Sequence, residues 1–101
     1  MTRIAIAGAA GRMGQALIQA VSLDAELELA HAFEQPGHAS LGTDAGVVAG
    51  LEWGGISLTD TISSGDFDLL INFTTPTATM EHLTYCQSQG RRMVIGTTGL
   101  D

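Results

Sequence analysis

Gly8, Gly11 and Gly14 stand directly behind the apolar run Ile4-Ala5-Ile6-Ala7, three residues apart, with Arg12 inside the last interval. A strand that turns into a helix through residues this small brings bare backbone N–H groups to a helix N-terminus, which is where a phosphate binds. Gly8 would allow the tight turn, Gly11 the close approach of a pyrophosphate and Gly14 the contact of helix with strand. Ala9, Ala10 and Met13 fill the remaining places of the loop. Arg12 would add a charge-assisted contact, because a cation at a helix N-terminus opposes the macrodipole unless an anion sits there. Glu34 follows Gly14 at the end of a second apolar run, where an acid accepts hydrogen bonds from a ribose. The pattern points to a dinucleotide.

Gln35 comes next, where an arginine would welcome a 2′-phosphate; Glu34 would repel one. The pair favours NAD(H), with NADP(H) possible. Gly96-Thr97-Thr98-Gly99 ends the last apolar run, Met93-Val94-Ile95, and its backbone and hydroxyls are placed to meet the nicotinamide half. Asn72-Phe73-Thr74-Thr75-Pro76 ends another such run and is placed to line the cofactor; Thr75 capping its own helix, with Pro76 at the first position, explains the segment equally well. His31, His38 and His82 read as structural or surface histidines, and Cys86 as a small helix-packing residue. Trp53 reads as a loop anchor. No Cys/His spacing suggests a metal.

The elements that would position these residues alternate. Strands are expected over 3–7, 27–33, 56–58, 69–73 and 92–95, and helices over about 12–21 and from Pro76 to Gly90. In the first helix Met13, Leu17 and Val21, flanked by Ala16 and Ala20, would face the sheet; in the second, Met80, Leu83 and Gln87 share a side. Residues 35–55 hold Pro36 and six glycines and either serve function or conceal short elements. Alternation of this kind implies an α/β fold, a Rossmann-like parallel sheet of about five strands with flanking helices.

The formal charge is −7, with four basic residues that form no stripe, which excludes a nucleic-acid partner. No apolar run is long enough to span a membrane, and Met1 leads straight into a strand with no signal-type core, so a cytoplasmic protein is expected. With 101 residues, the chain is one domain at most.

Together, the glycine loop with Arg12-Met13-Gly14, the Asn72-Phe73-Thr74 segment with Pro76, and Met93-Val94-Ile95-Gly96-Thr97-Thr98-Gly99 closely resemble bacterial 4-hydroxy-tetrahydrodipicolinate (dihydrodipicolinate) reductases; Leu41-Gly42-Thr43-Asp44-Ala45-Gly46 also looks like that family's loop. The resemblance covers the whole chain but only the N-terminal part of the family's length. It implies that Gly8, Ala9, Ala10, Gly11, Arg12 and Met13 bind pyrophosphate, that Glu34 meets the adenosine ribose with Gln35 beside it, and that Gly96, Thr97 and Thr98 contact the nicotinamide half. It also implies lysine and diaminopimelate biosynthesis, a small cyclic dicarboxylate substrate and a homotetrameric full-length enzyme. The family's catalytic segment, a His-His pair with a lysine and an Asp-Ala-Pro-Ser-Gly-Thr stretch, does not occur in this sequence. The expectation is a dinucleotide-binding domain over residues 1–101, truncated at its C-terminal end and lacking the substrate domain, that binds cofactor without turnover. A non-catalytic nucleotide-sensing module and an adenosylmethionine-dependent methyltransferase are the other classes considered; the second leaves Arg12 without a phosphate to bind.

Overall fold

Ile4-Ala5-Ile6-Ala7 has no polar face, so it belongs where a strand is covered on both sides. The computed structural model, which describes residues 2–51, 55–61, 67–73 and 76–96, places it there. Strand β1 (Thr2–Ala7) is the middle of a five-stranded sheet with β2 (Leu27–Phe33), β3 (Leu58–Thr59), β4 (Leu69–Asn72) and β5 (Arg92–Ile95), in the order β3-β2-β1-β4-β5. Every pairing in it is parallel. The chain moves outward from β1 in one direction and returns to β1's other side with β4. In open parallel α/β sheets it is outside the carboxyl ends of the strands at such a reversal that a ligand crevice forms.

Among the described residues three helices flank the sheet: α1 (Arg12–Leu23), the short α2 (Ala45–Val48) and α3 (Pro76–Gln89). On one face Ile4 and Ile6 pack with Ile18 and Val21 of α1, with Ala32 and Leu58, and with Ala45 and Ala49 at α2. On the other, Ala5, Ala7, Phe33, Phe67 and Leu70 meet Cys86 of α3. The alternation of isoleucine and alanine along β1 thus sorts bulk to the α1 side and leaves small residues under the aromatic rings. The Arg91 guanidinium lies 4.5 Å from the centre of the Phe67 ring, closing the rim of this second cluster.

The expected buried face of α1 is corrected. In α1 the buried residues are Gly14, Ile18 and Val21, whereas Met13 is 53 % exposed and Ala16 and Ala20 face solvent. The helix lies so close to the β1 turn at Gly14 that the buried stripe follows the glycine rather than the methionine. In α3, among the described side chains, Thr79 and Cys86 are buried, while Met80 and Gln87 are exposed. The helix stops at Gly90, whose φ of 67° permits the Arg91 N–H to reach the Cys86 carbonyl at 2.9 Å. Strand β3 starts two residues later than expected, and the glycine-rich stretch conceals α2, capped by the Asp44 carboxylate on the Val47 N–H.

Strand β5 is the outermost on its side among the described strands, with Val94 50 % and Ile95 45 % exposed. An apolar edge of this kind pairs with other chains. The 101-residue chain is therefore expected to self-associate as concentration rises, and Val94→Lys to lower its weight-average mass in sedimentation equilibrium. A chain that stays monomeric at every concentration contradicts this.

Candidate functional site

The crevice is built on a close approach that only glycine permits. Gly8, the first residue after β1, has φ of 81°, and a Cβ there would drive into the carbonyl of Phe73, the first residue after β4. The N–H groups of Gly8 and Ala9 both donate to the Phe33 carbonyl, at 3.0 and 3.1 Å, so the turn is also tied to the end of β2. Gly14 lies inside the first turn of α1, where a Cβ would strike the backbone of Gly8 and Ala9. The fold itself therefore demands two of the three glycines.

Gly11 is different. Its φ of −74° suits any residue, and an added Cβ would meet only the Gly8 carbonyl, at an easy 3.4 Å. It is the N-cap of α1 and makes no side-chain cap; it is exposed, as are Arg12 and Met13 after it. Nothing within the described residues requires glycine here. What its bare surface leaves open is an approach to the N-terminal end of α1, and such an end attracts an anion. The residues present therefore fit a pyrophosphate: an uncapped helix end, a position kept free of side chain, and the Arg12 cation beside it.

Glu34 is bound into the same loop. One carboxylate oxygen accepts from the Ala10 N–H at 2.9 Å, the other from the Gln35 N–H at 3.1 Å. The Gln15 side chain holds Ala10 from its other side by donating to its carbonyl at 2.7 Å. The acid expected at a ribose thus stands 24 residues from Ala10 in sequence and in hydrogen-bond contact with it in space. The Glu34 N–H donates to the Thr59 carbonyl at 2.8 Å, which fixes the backbone behind the carboxylate.

Across the crevice, the Gly96 N–H donates to the Asn72 carbonyl at 2.8 Å, and a Cβ at Gly96 would enter the ring of Phe73. Phe73 therefore seats Gly8 with its carbonyl and Gly96 with its ring. Thr97 and Thr98, expected at the nicotinamide half, lie outside the described residues, as do Trp53, Thr74, Thr75 and Gly99.

One group was not singled out from the sequence, and a second, Asn72, was read there only as part of the loop that follows β4. Gln15 clamps the glycine loop, which no motif signals. Asn72 is fully buried; its amide donates to Thr79 Oγ1 at 2.8 Å, and its Oδ1 lies 2.7 Å from Nδ1 of His82. Burial pushes the His82 pKa down, while the Glu81 charge pulls it the other way. His38 lies elsewhere, accepting from the Ser40 N–H, and His31 stacks on Phe33. Cys86 is buried, and burial raises its thiol pKa against the pull of Arg91, so it packs and does not react. Among the described residues there is no metal-binding cluster of His, Cys, Asp and Glu, and no helix long and apolar enough to cross a membrane.

Gly8 and Gly11 are separable by experiment. Gly8→Ala is expected to cost several kcal/mol, since it combines a forbidden φ with a backbone collision. Gly11→Ala is expected to cost about 1 kcal/mol or less, the difference between two N-cap residues. Thermal denaturation of the two variants checks this, and equal losses would contradict the geometry.

The model of the family described as "Dihydrodipicolinate reductase, N-terminus" matches residues 2–101. A dipicolinate-bound dihydrodipicolinate reductase from Paenisporosarcina sp. TG-14 superposes with a TM-score of 0.74 at 26% identity, covering 100% of this chain and 39% of that one. An aspartate semialdehyde dehydrogenase from Candida albicans, solved with NADP, superposes with a TM-score of 0.75 at 15% identity, covering 97% of this chain and 30% of that one, and shows the fold alone.

Proposed function

The chain belongs to the dihydrodipicolinate reductase N-terminal family, an oxidoreductase family, and from that premise we propose that its crevice holds a nicotinamide dinucleotide. The observation that carries the proposal is Gly11. The fold demands Gly8 and Gly14 by collision; at Gly11 it asks only for an N-cap, and a bare, exposed residue at an uncapped helix end is what an approaching anion needs.

Gly8, Ala9, Ala10, Gly11, Arg12 and Met13 form the pyrophosphate loop: the N–H groups of Arg12 and Met13 at the end of α1 and the Arg12 guanidinium are the donors, while those of Gly8, Ala9, Ala10 and Gly11 bond within the protein and shape the loop. Glu34 receives the adenosine ribose. Its two backbone bonds fix the carboxylate and leave each oxygen a further lone pair for a hydroxyl hydrogen. The same charge disfavours a 2′-phosphate, and Gln35 supplies no cation to offset it, so NADH is preferred to NADPH. Gly96, with Thr97 and Thr98, meets the nicotinamide half. A bound reduced nicotinamide supplies the hydride; this chain's share is to hold the dinucleotide along the strand ends and orient its ring.

In the whole protein, of which this chain is the cofactor-binding domain, the reaction is reduction of 4-hydroxy-tetrahydrodipicolinate in lysine and diaminopimelate biosynthesis, by a cytoplasmic homotetramer. The chain spans 39% of the length of the Paenisporosarcina reductase. None of its own residues is assigned a catalytic role, and residues 1–101 alone bind cofactor without turning over substrate.

Calorimetric titration with NADH and NADPH at one salt concentration tests this. NADH is expected to bind at least as tightly as NADPH, and Gln35→Arg to improve NADPH about tenfold, one charge-assisted contact. Clearly tighter NADPH in the unaltered chain overturns the account of Glu34 and Gln35. Failure of a folded chain to bind either overturns the cofactor proposal for these residues.

A further inference from the structure

The Asn72 amide is fully buried at the end of β4, and its two ends have different partners. Nδ2–H donates to Thr79 Oγ1 at 2.8 Å, which leaves Oδ1 as an acceptor. The group facing Oδ1, at 2.7 Å, is Nδ1 of His82. With the amide in this orientation the contact needs a donor on the ring, which places the His82 proton on Nδ1. Thr79 and His82 lie on successive turns of α3, on the side that faces β4, so the helix grips the strand end at two points.

Asn72 is also where the two halves of the crevice meet. Its neighbours in the sheet are Ala7 on one side and Ile95 on the other, the residues that precede Gly8 and Gly96. Its carbonyl accepts the Gly96 N–H at 2.8 Å. The next residue, Phe73, donates its N–H to the Ala7 carbonyl at 2.9 Å and seats both glycines without space for a methyl group at either. A shift of the Asn72–Phe73 turn by a fraction of an ångström therefore moves both the loop assigned to pyrophosphate and the loop assigned to nicotinamide.

We propose that His82 is a positioning residue of the crevice: through Nδ1–H it holds the Asn72 amide, and with it the turn that spaces Gly8 from Gly96. The inference rests on the cofactor reading above for its effect on binding, but not for its structural half. It assigns His82 no contact with substrate or cofactor.

The test uses the ¹⁵N-labelled chain and the variants His82→Leu, which keeps the bulk and loses the donor, and His82→Gln, which keeps an N–H donor. Long-range ¹H–¹⁵N correlation is expected to show Nδ1 protonated and Nε2 bare at neutral pH. His82→Leu is expected to raise amide exchange at Phe73 and Gly96 at least tenfold while exchange in β1 and β2 stays unchanged. The same variant is expected to weaken NADH about tenfold, and His82→Gln to restore most of both losses. The proposal is overturned by an Nε2-protonated ring, by a folded His82→Leu chain with unchanged exchange, or by a His82→Gln chain as impaired as His82→Leu. If His82→Leu does not fold, the ring's protonation in the unaltered chain decides. A chain that binds no dinucleotide sinks the cofactor reading, and the protonation and exchange results still judge His82.

Discussion

Backbone meets backbone where Gly8 passes the carbonyl of Phe73, and the rest of the crevice is arranged around that contact. It places the turn after β1 against the end of β4, at the point where the order of strands reverses. Because Gly8 has left-handed φ, the chain can leave β1, bond twice to the Phe33 carbonyl and still enter α1 within four residues. A methyl group at this point would push β1 and β4 apart or lift the loop out of the crevice. A softer constraint of the same kind recurs at Gly96, where a Cβ would meet the side-chain ring of the same phenylalanine rather than backbone. One aromatic residue thereby gauges both ends of the site.

Electrostatics then act locally. A chain of formal charge −7 repels an anion such as a dinucleotide at long range, so attraction must come from oriented groups a few ångströms away. The end of α1 and Arg12 provide it. Glu34 works in the opposite sense beside them: its carboxylate, held by the Ala10 and Gln35 N–H groups, adds negative charge to the rim. A site with favourable potential at one end and unfavourable potential at the other discriminates between dinucleotides that differ by one phosphate.

The sequence disclosed those parts of the fold in which local pattern and final burial coincide. Strands β1 and β2 could be read to within a residue, because apolar runs that end at glycine or acid, continuous in β1 and interrupted only by Glu28 and His31 in β2, have few other uses. The α1 face was misread for a physical reason: helix and turn approach so closely at Gly14 that the smallest residue, not Met13, lies against the sheet. Four-residue α2 carries too little periodicity to be seen among glycines. The spacing of Gly8, Gly11 and Gly14 was legible, but only the structure separates the two that the fold requires from the one that it does not. Bonds from Glu34 to Ala10 and from His82 to Asn72 join elements through the tertiary fold, and no local pattern encodes them.

The claim on which all of this converges is that the bare N-terminus of α1 at Gly11 receives a dinucleotide. The most direct measurement is a ¹H–¹⁵N correlation titration of the labelled chain with NADH. The account predicts that the amides of Gly8 to Met13, Gln35 and Gly96 shift together along one binding curve, while those of the opposite strand ends at Thr2, Leu27 and Arg92 stay fixed. Shifts scattered over both ends of the sheet, or confined to residues away from the glycine loop, would contradict it.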